Sequence, residues 1–62
     1  MTLYTIILKD GMVIRKAESL KEANQNIIDK EGVSAQDIEQ TRHTTNADIA
    51  WFKQMGGYIP DE

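Results

Sequence analysis

Residues 3–8 read Leu-Tyr-Thr-Ile-Ile-Leu, the densest apolar run in the chain, and every later segment is too weakly apolar to build a core without them. A run rich in β-branched and aromatic residues, followed at once by Lys9-Asp10-Gly11, reads as a strand entering a hairpin. Asp-Gly between apolar runs is a strong turn signal, because glycine takes the positive φ that a tight turn asks for. The paired strands are then residues 2–8 and 12–17.

Two registers compete for this hairpin. A two-residue loop at Asp10-Gly11 opposes Leu8 to Val13 and puts Tyr4, Ile6 and Leu8 on one face with Val13, Arg15 and Ala17. A three-residue loop with a glycine bulge opposes Leu8 to Met12 and gathers Tyr4, Ile6, Leu8, Met12 and Ile14 instead. A slip of one residue turns a whole strand over, so the difference matters. The bulged form is preferred, since it makes one strongly apolar face and keeps Arg15 off it. In either register Leu3 and Ile7 point to the opposite face. If both helices lie on one side of the sheet, those two side chains stay partly open and form a contact surface, unless the stems of Arg15 and Lys16 shield them.

A helix follows from Ser19 to about Glu31. Ser19 is the N-cap, Glu22 three residues on completes a capping box, and Gly32 supplies the left-handed stop. Leu20, Ala23, Ile27 and Ile28 recur at helical spacing and form its apolar stripe. Residues 34–37 read as a short helical turn opened by Ser34. The threonine-rich stretch 38–44 suits an extended edge strand, whose charges resist pairing with strangers. A second helix is capped by Thr45 or Asn46, with Asp48 in its first turn, where a carboxylate complements the helix dipole. Ile49, Trp51, Phe52 and Met55 cover an arc of roughly 160° on it, and Gly56-Gly57 stops it. Tyr58-Ile59-Pro60 runs extended, and Asp61-Glu62 frays.

The order β-β-α-β-α returns the third strand beside the first. The fold expected is α+β: residues 1–62 as a single domain with a single-layer, three-stranded antiparallel sheet of order 2-1-3 and two helices. At 62 residues such a domain buries only about 60 % of the surface its unfolded chain exposes, so its stability is marginal and it benefits from a staple. There is no cysteine, which removes disulfides and thiolate ligands together, and one histidine does not make a transition-metal site. Self-association or a binding partner is the staple left open. The net charge of −3 argues against general affinity for a phosphate backbone. No stretch approaches the roughly 20 apolar residues that span a bilayer, and no signal-peptide pattern opens the chain, so a cytoplasmic protein is expected.

Candidate sites are few. Trp51, Met55, Tyr58 and Ile59, with Leu3 and Ile7 on the sheet, are the candidate partner-binding residues; the competing role for Trp51 is a core anchor, and a buried indole would settle for that. Lys9, Arg15, Lys16 and Lys21 with Tyr4 are the candidate nucleic-acid surface, weighed against ordinary solvated lysines. Arg42 and His43, with Asp37, Glu39 and Asp48 within reach, have neither a metal-loop spacing nor a nucleophile beside them, and Ser19 and Ser34 are caps. The reading is a small non-enzymatic interaction module, an inhibitor or adaptor, with no cofactor, metal or small-molecule substrate. It would bind an unidentified protein partner or a second copy of itself, and a weak nucleic-acid binder is the alternative. A short, mildly acidic chain without cysteine is common among accessory proteins of phages and mobile elements that bind a host protein.

Overall fold

A computed structural model describes residues 1–57 and Ile59. Three strands, β1 (Thr2–Leu8), β2 (Gly11–Ala17) and β3 (Ile38–His43), form an open antiparallel sheet in the order β2-β1-β3. Two helices, α1 (Leu20–Glu31) and α2 (Asn46–Gln54), complete the expected β-β-α-β-α order. The most apolar strand is the central one, because only there are both backbone edges paired.

The local signals act where the residues place them. Ser19 Oγ accepts the Glu22 backbone N–H at 3.1 Å, and Gly32, at φ 71°, closes α1 with its own N–H on the Ile27 carbonyl. The reciprocal half of the cap is shifted by one: Glu22 accepts the backbone N–H of Glu18. Ser34 caps a single 3₁₀ turn, Ala35–Asp37, whose Asp37 carbonyl takes the Lys9 N–H at 3.0 Å and so pins the hairpin tip.

The hairpin register is neither of the two expected. Leu8 lies opposite Gly11, so the loop is Lys9-Asp10 and the strands are slid by two residues from the Asp10-Gly11 form. Gly11 is not at positive φ, which among the described residues only Gly32 and Gly56 adopt. The Asp-Gly pair therefore marks the turn without supplying its geometry. A slide of two keeps the faces, so Tyr4, Ile6 and Leu8 do stand with Val13, Arg15 and Ala17, and the preferred bulged form is overturned.

The reason is that both faces are covered. On the Tyr4 face, α1 packs Ala23 and Ile27 onto Tyr4, Ile6 and Ala17, with Leu8, Val13, Val33 and Ile38 around them. Asn24 meets Thr41 on this face, and Glu31 meets Arg15. On the other face Thr5 and Arg42 contact Asp48 of α2, and Ile14 and Phe52 are buried. Successive strand residues point to opposite faces, so the two helices lie on opposite sides of the sheet. The expected open face with Leu3 and Ile7 is thus the one α2 lies on, and both residues are half-buried. A sheet covered twice needs apolar residues on both faces, and the bulged register would have stripped Ile14 and Met12 from the α2 side. Leu20, expected in the α1 stripe, is 43 % exposed.

Candidate functional site

Two features stand apart from the core: a polar hub beneath α2 and an uncharged stripe on its outside. The hub starts from Thr5, a hydroxyl fully buried in the middle of the most apolar strand. It lies 3.2 Å from Asp48 Oδ2 and 2.9 Å from Thr44 Oγ1. A hydroxyl has one proton, so Thr5 donating to the carboxylate requires Thr44 to donate to Thr5. Asp48 also accepts Arg42 Nη2 at 2.7 Å, Arg42 Nε at 3.3 Å and the Thr45 backbone N–H at 3.2 Å. Thr45 Oγ1 accepts the Asp48 N–H in return, making a reciprocal capping box at the start of α2. One carboxylate thereby ties together the central strand, the edge strand and the second helix.

The Arg42 guanidinium holds the Asp48 carboxyl down at about 2, with the Thr45 N–H and Thr5 hydroxyl adding to the effect against the opposing cost of burial. Arg42 is itself pushed up by hydrogen bonding to Asp48. Among the described residues every buried side-chain nitrogen and oxygen has a hydrogen-bond partner, so the pair is taken up in holding the fold. The hub is a joint.

Across α2 the apolar arc is split. Asp48 and Phe52 are buried and Ile49 is half-buried, whereas Trp51 is 58 % and Met55 52 % exposed. With Ala47, Ala50 and Gln54, these two make an exposed stripe at i, i+3, i+4, i+7 and i+8 that carries no charge. Trp51 is therefore no core anchor. The ring that fills that role is Phe52, lying so close to Gly57 that a Cβ there would meet the ring at 2.6 Å. Ile59 is half-buried, and Tyr58 lies outside the described residues.

The candidate nucleic-acid residues are not brought together. Tyr4 is buried, with its ring tilted 36° against His43 at a centroid distance of 4.9 Å, so it offers no face to a base. This corrects the expectation of an available aromatic. Arg15 is held by Glu31 through Nε at 2.6 Å and Nη2 at 2.9 Å. Lys16, its neighbour on the strand, points to the opposite face. Lys9 sits in the hairpin turn and Lys21 in the first turn of α1, which follows the other end of β2. Among the described residues no group of three or more His, Cys, Asp or Glu is placed to hold a metal, and no helix is long and apolar enough to cross a membrane.

The class defined by these observations is a small α+β domain with an antiparallel sheet between two helices and an uncharged helical stripe on its surface. No family model matches the chain, and no curated protein or solved structure is significantly similar to it.

Sequence reasoning placed Asp48 in the first turn of α2 but missed its partners. The Thr45-x-x-Asp48 spacing was a readable sign of the box, and Thr5 inside an apolar run signalled a buried hydroxyl in need of a partner. Nothing local announced Arg42, because its role depends on which face α2 covers.

Proposed function

We propose that this protein is a non-enzymatic interaction module that engages a protein partner through the outer stripe of α2, with Trp51 as the anchor and Met55 beside it. The observation that supports this reading is the pair of large apolar side chains left more than half exposed on a helix whose buried side is already filled by Phe52. Depletion of charge with enrichment of Trp and Met is the compositional mark of an interface core. The finer reading, an inhibitor or adaptor of phage or mobile-element type working in the cytoplasm, belongs to the same proposal and rests on the make of the chain.

The test is capture of partners from the lysate of the native cells by the parent chain, by Trp51→Ala and by Lys16→Glu. Loss of a stoichiometric partner with Trp51→Ala and its retention with Lys16→Glu supports the stripe. Loss with Lys16→Glu alone gives the binding to the basic surface and an acidic ligand instead. Neither substitution touches a buried apolar side chain, so circular dichroism of both should match the parent.

A further inference from the structure

We propose that Met55 is a site of reversible oxidation by peroxides, and that its sulfoxide form turns off the outer stripe of α2. The inference rests on the reading of that stripe as a binding surface and names how the surface is regulated. It starts from the sulfur inventory. The chain has three methionines and no cysteine, so no thiol of its own competes for an oxidant and its sulfur redox chemistry falls to thioethers. The three stand in different surroundings. Met12 lies within β2 opposite Ile7, on the face that α2 covers, and is half-buried. Met1 is 81 % exposed but precedes β1, whereas Met55 is 52 % exposed at the end of α2. Of the three, Met55 alone is both open to solvent and part of the uncharged stripe, one turn beyond Trp51.

A thioether needs no base to react. Its sulfur lone pair attacks one oxygen of hydrogen peroxide and the O–O bond breaks. The far oxygen leaves as hydroxide and takes the proton of the transferred hydroxyl, so the products are the sulfoxide and water. Sulfur gives up two electrons and the peroxide takes them. The return step uses two thiols, which become a disulfide while the oxygen leaves as water; this is the chemistry of methionine sulfoxide reductases.

The forward step turns a flexible apolar side chain into a polar one. In the core of an interface, where polar groups are few, an S=O without a donor is costly to take out of water. The fold beneath does not depend on that side chain. The Met55 backbone N–H is tied to the Trp51 carbonyl at 3.1 Å and the Phe52 carbonyl at 3.2 Å, and Asp48 and Phe52 fill the buried side of α2. Oxidation therefore changes the surface and spares the interior.

Hydrogen peroxide is titrated against the parent chain and Met55→Leu. Peptide mass spectrometry locates the sulfoxides, and retention on a phenyl resin reads the apolar surface. Met55 should be oxidised several-fold faster than Met12. The oxidised parent should elute earlier with unchanged circular dichroism, and a sulfoxide reductase with dithiothreitol should restore its retention. Met55→Leu keeps an apolar side chain of similar size, so it should hold its retention through the same dose even as Met1 is oxidised. Met55→Gln should elute early without any peroxide.

Oxidation of Met12 as fast as Met55 overturns the inference. So does unchanged retention of the Met55 sulfoxide, a shift that Met55→Leu shows equally, or a loss of helical signal on oxidation. These readouts use the chain alone, so they decide the matter whether or not a partner is captured. With a captured partner, peroxide should weaken binding to the parent at least about tenfold and leave Met55→Leu unaffected; equal binding before and after overturns the switch. A stripe that captures nothing, with the oxidation order and retention shift intact, counts against the proposed function and not against the chemistry at Met55.

Discussion

A single carboxylate shows how much a short chain can ask of one residue. Asp48 accepts from three elements and is nearly buried, so its removal breaks a cap, an ion pair and the satisfaction of a buried hydroxyl together. Its carboxyl is lowered from the usual 3.8 to about 2. A group depressed on folding stabilises the native state while it is ionised. The contribution is whole above about pH 4 and is lost as pH falls through about 2. Arg42 is partly open to solvent, which screens the pair and leaves a contribution of about 1–2 kcal/mol. Urea unfolding of Asp48→Asn at pH 6 and pH 2.5 should show a deficit of that size at pH 6 that narrows at the lower pH. An equal deficit at both would mean the ionised form is not what matters. Thr5→Val should cost on the order of 1 kcal/mol by leaving the carboxylate one donor short, read from the shift in urea midpoint.

At the scale of the element, α2 is the part whose ends and faces decide most. It is nine residues long, started by the Thr45 box and ended where Phe52 folds against Gly57. A methyl at Gly57 has no room, because three carbons of the Phe52 ring lie within 2.7 Å of where it would stand. Gly57→Ala should therefore displace the ring and cost about 1–3 kcal/mol. Gly11→Ala is the informative contrast. Nothing lies within 4 Å of its Cβ and its φ is not positive, so the thermal midpoint should barely move. A large loss there would restore the glycine-dependent turn that the Asp10-Gly11 pair leads one to expect. Helix α1 differs in kind: its caps and its buried Ala23 and Ile27 were readable from spacing, because each depends only on neighbours within one or two turns.

For the whole molecule, covering both faces of a three-stranded sheet divides a small interior in two. One half holds Tyr4, Ile6, Ala17, Ala23 and Ile27; the other has Ile14 and Phe52 beside the polar pair Thr5 and Asp48. A domain of this length has roughly 3–9 kcal/mol of stability in all. Ile27→Ala, at about 2–4 kcal/mol, should remove a large share of it or unfold the chain, which calorimetry would register. The α2 half has fewer apolar side chains and a shorter helix. Its amides should exchange faster than those of α1 and β1 under native conditions, through opening that leaves the other half folded. Exchange of all three at one common rate would show instead a single cooperative unit.

What the sequence determined by itself is the set of short-range outcomes: a central apolar strand, two capped helices, an edge strand made of threonines and charges, and hence the strand order 2-1-3. These follow from interactions that close within a few residues, and the residues involved stand next to one another in the chain. The tertiary structure alone decided the hairpin register, the placement of the helices on opposite faces and the meeting of Arg42 with Asp48. Each depends on which surface gets covered. That is a property of the packed whole, since an apolar side chain such as Ile14 or Trp51 is equally at home inside or outside a local pattern until a neighbouring element arrives or fails to.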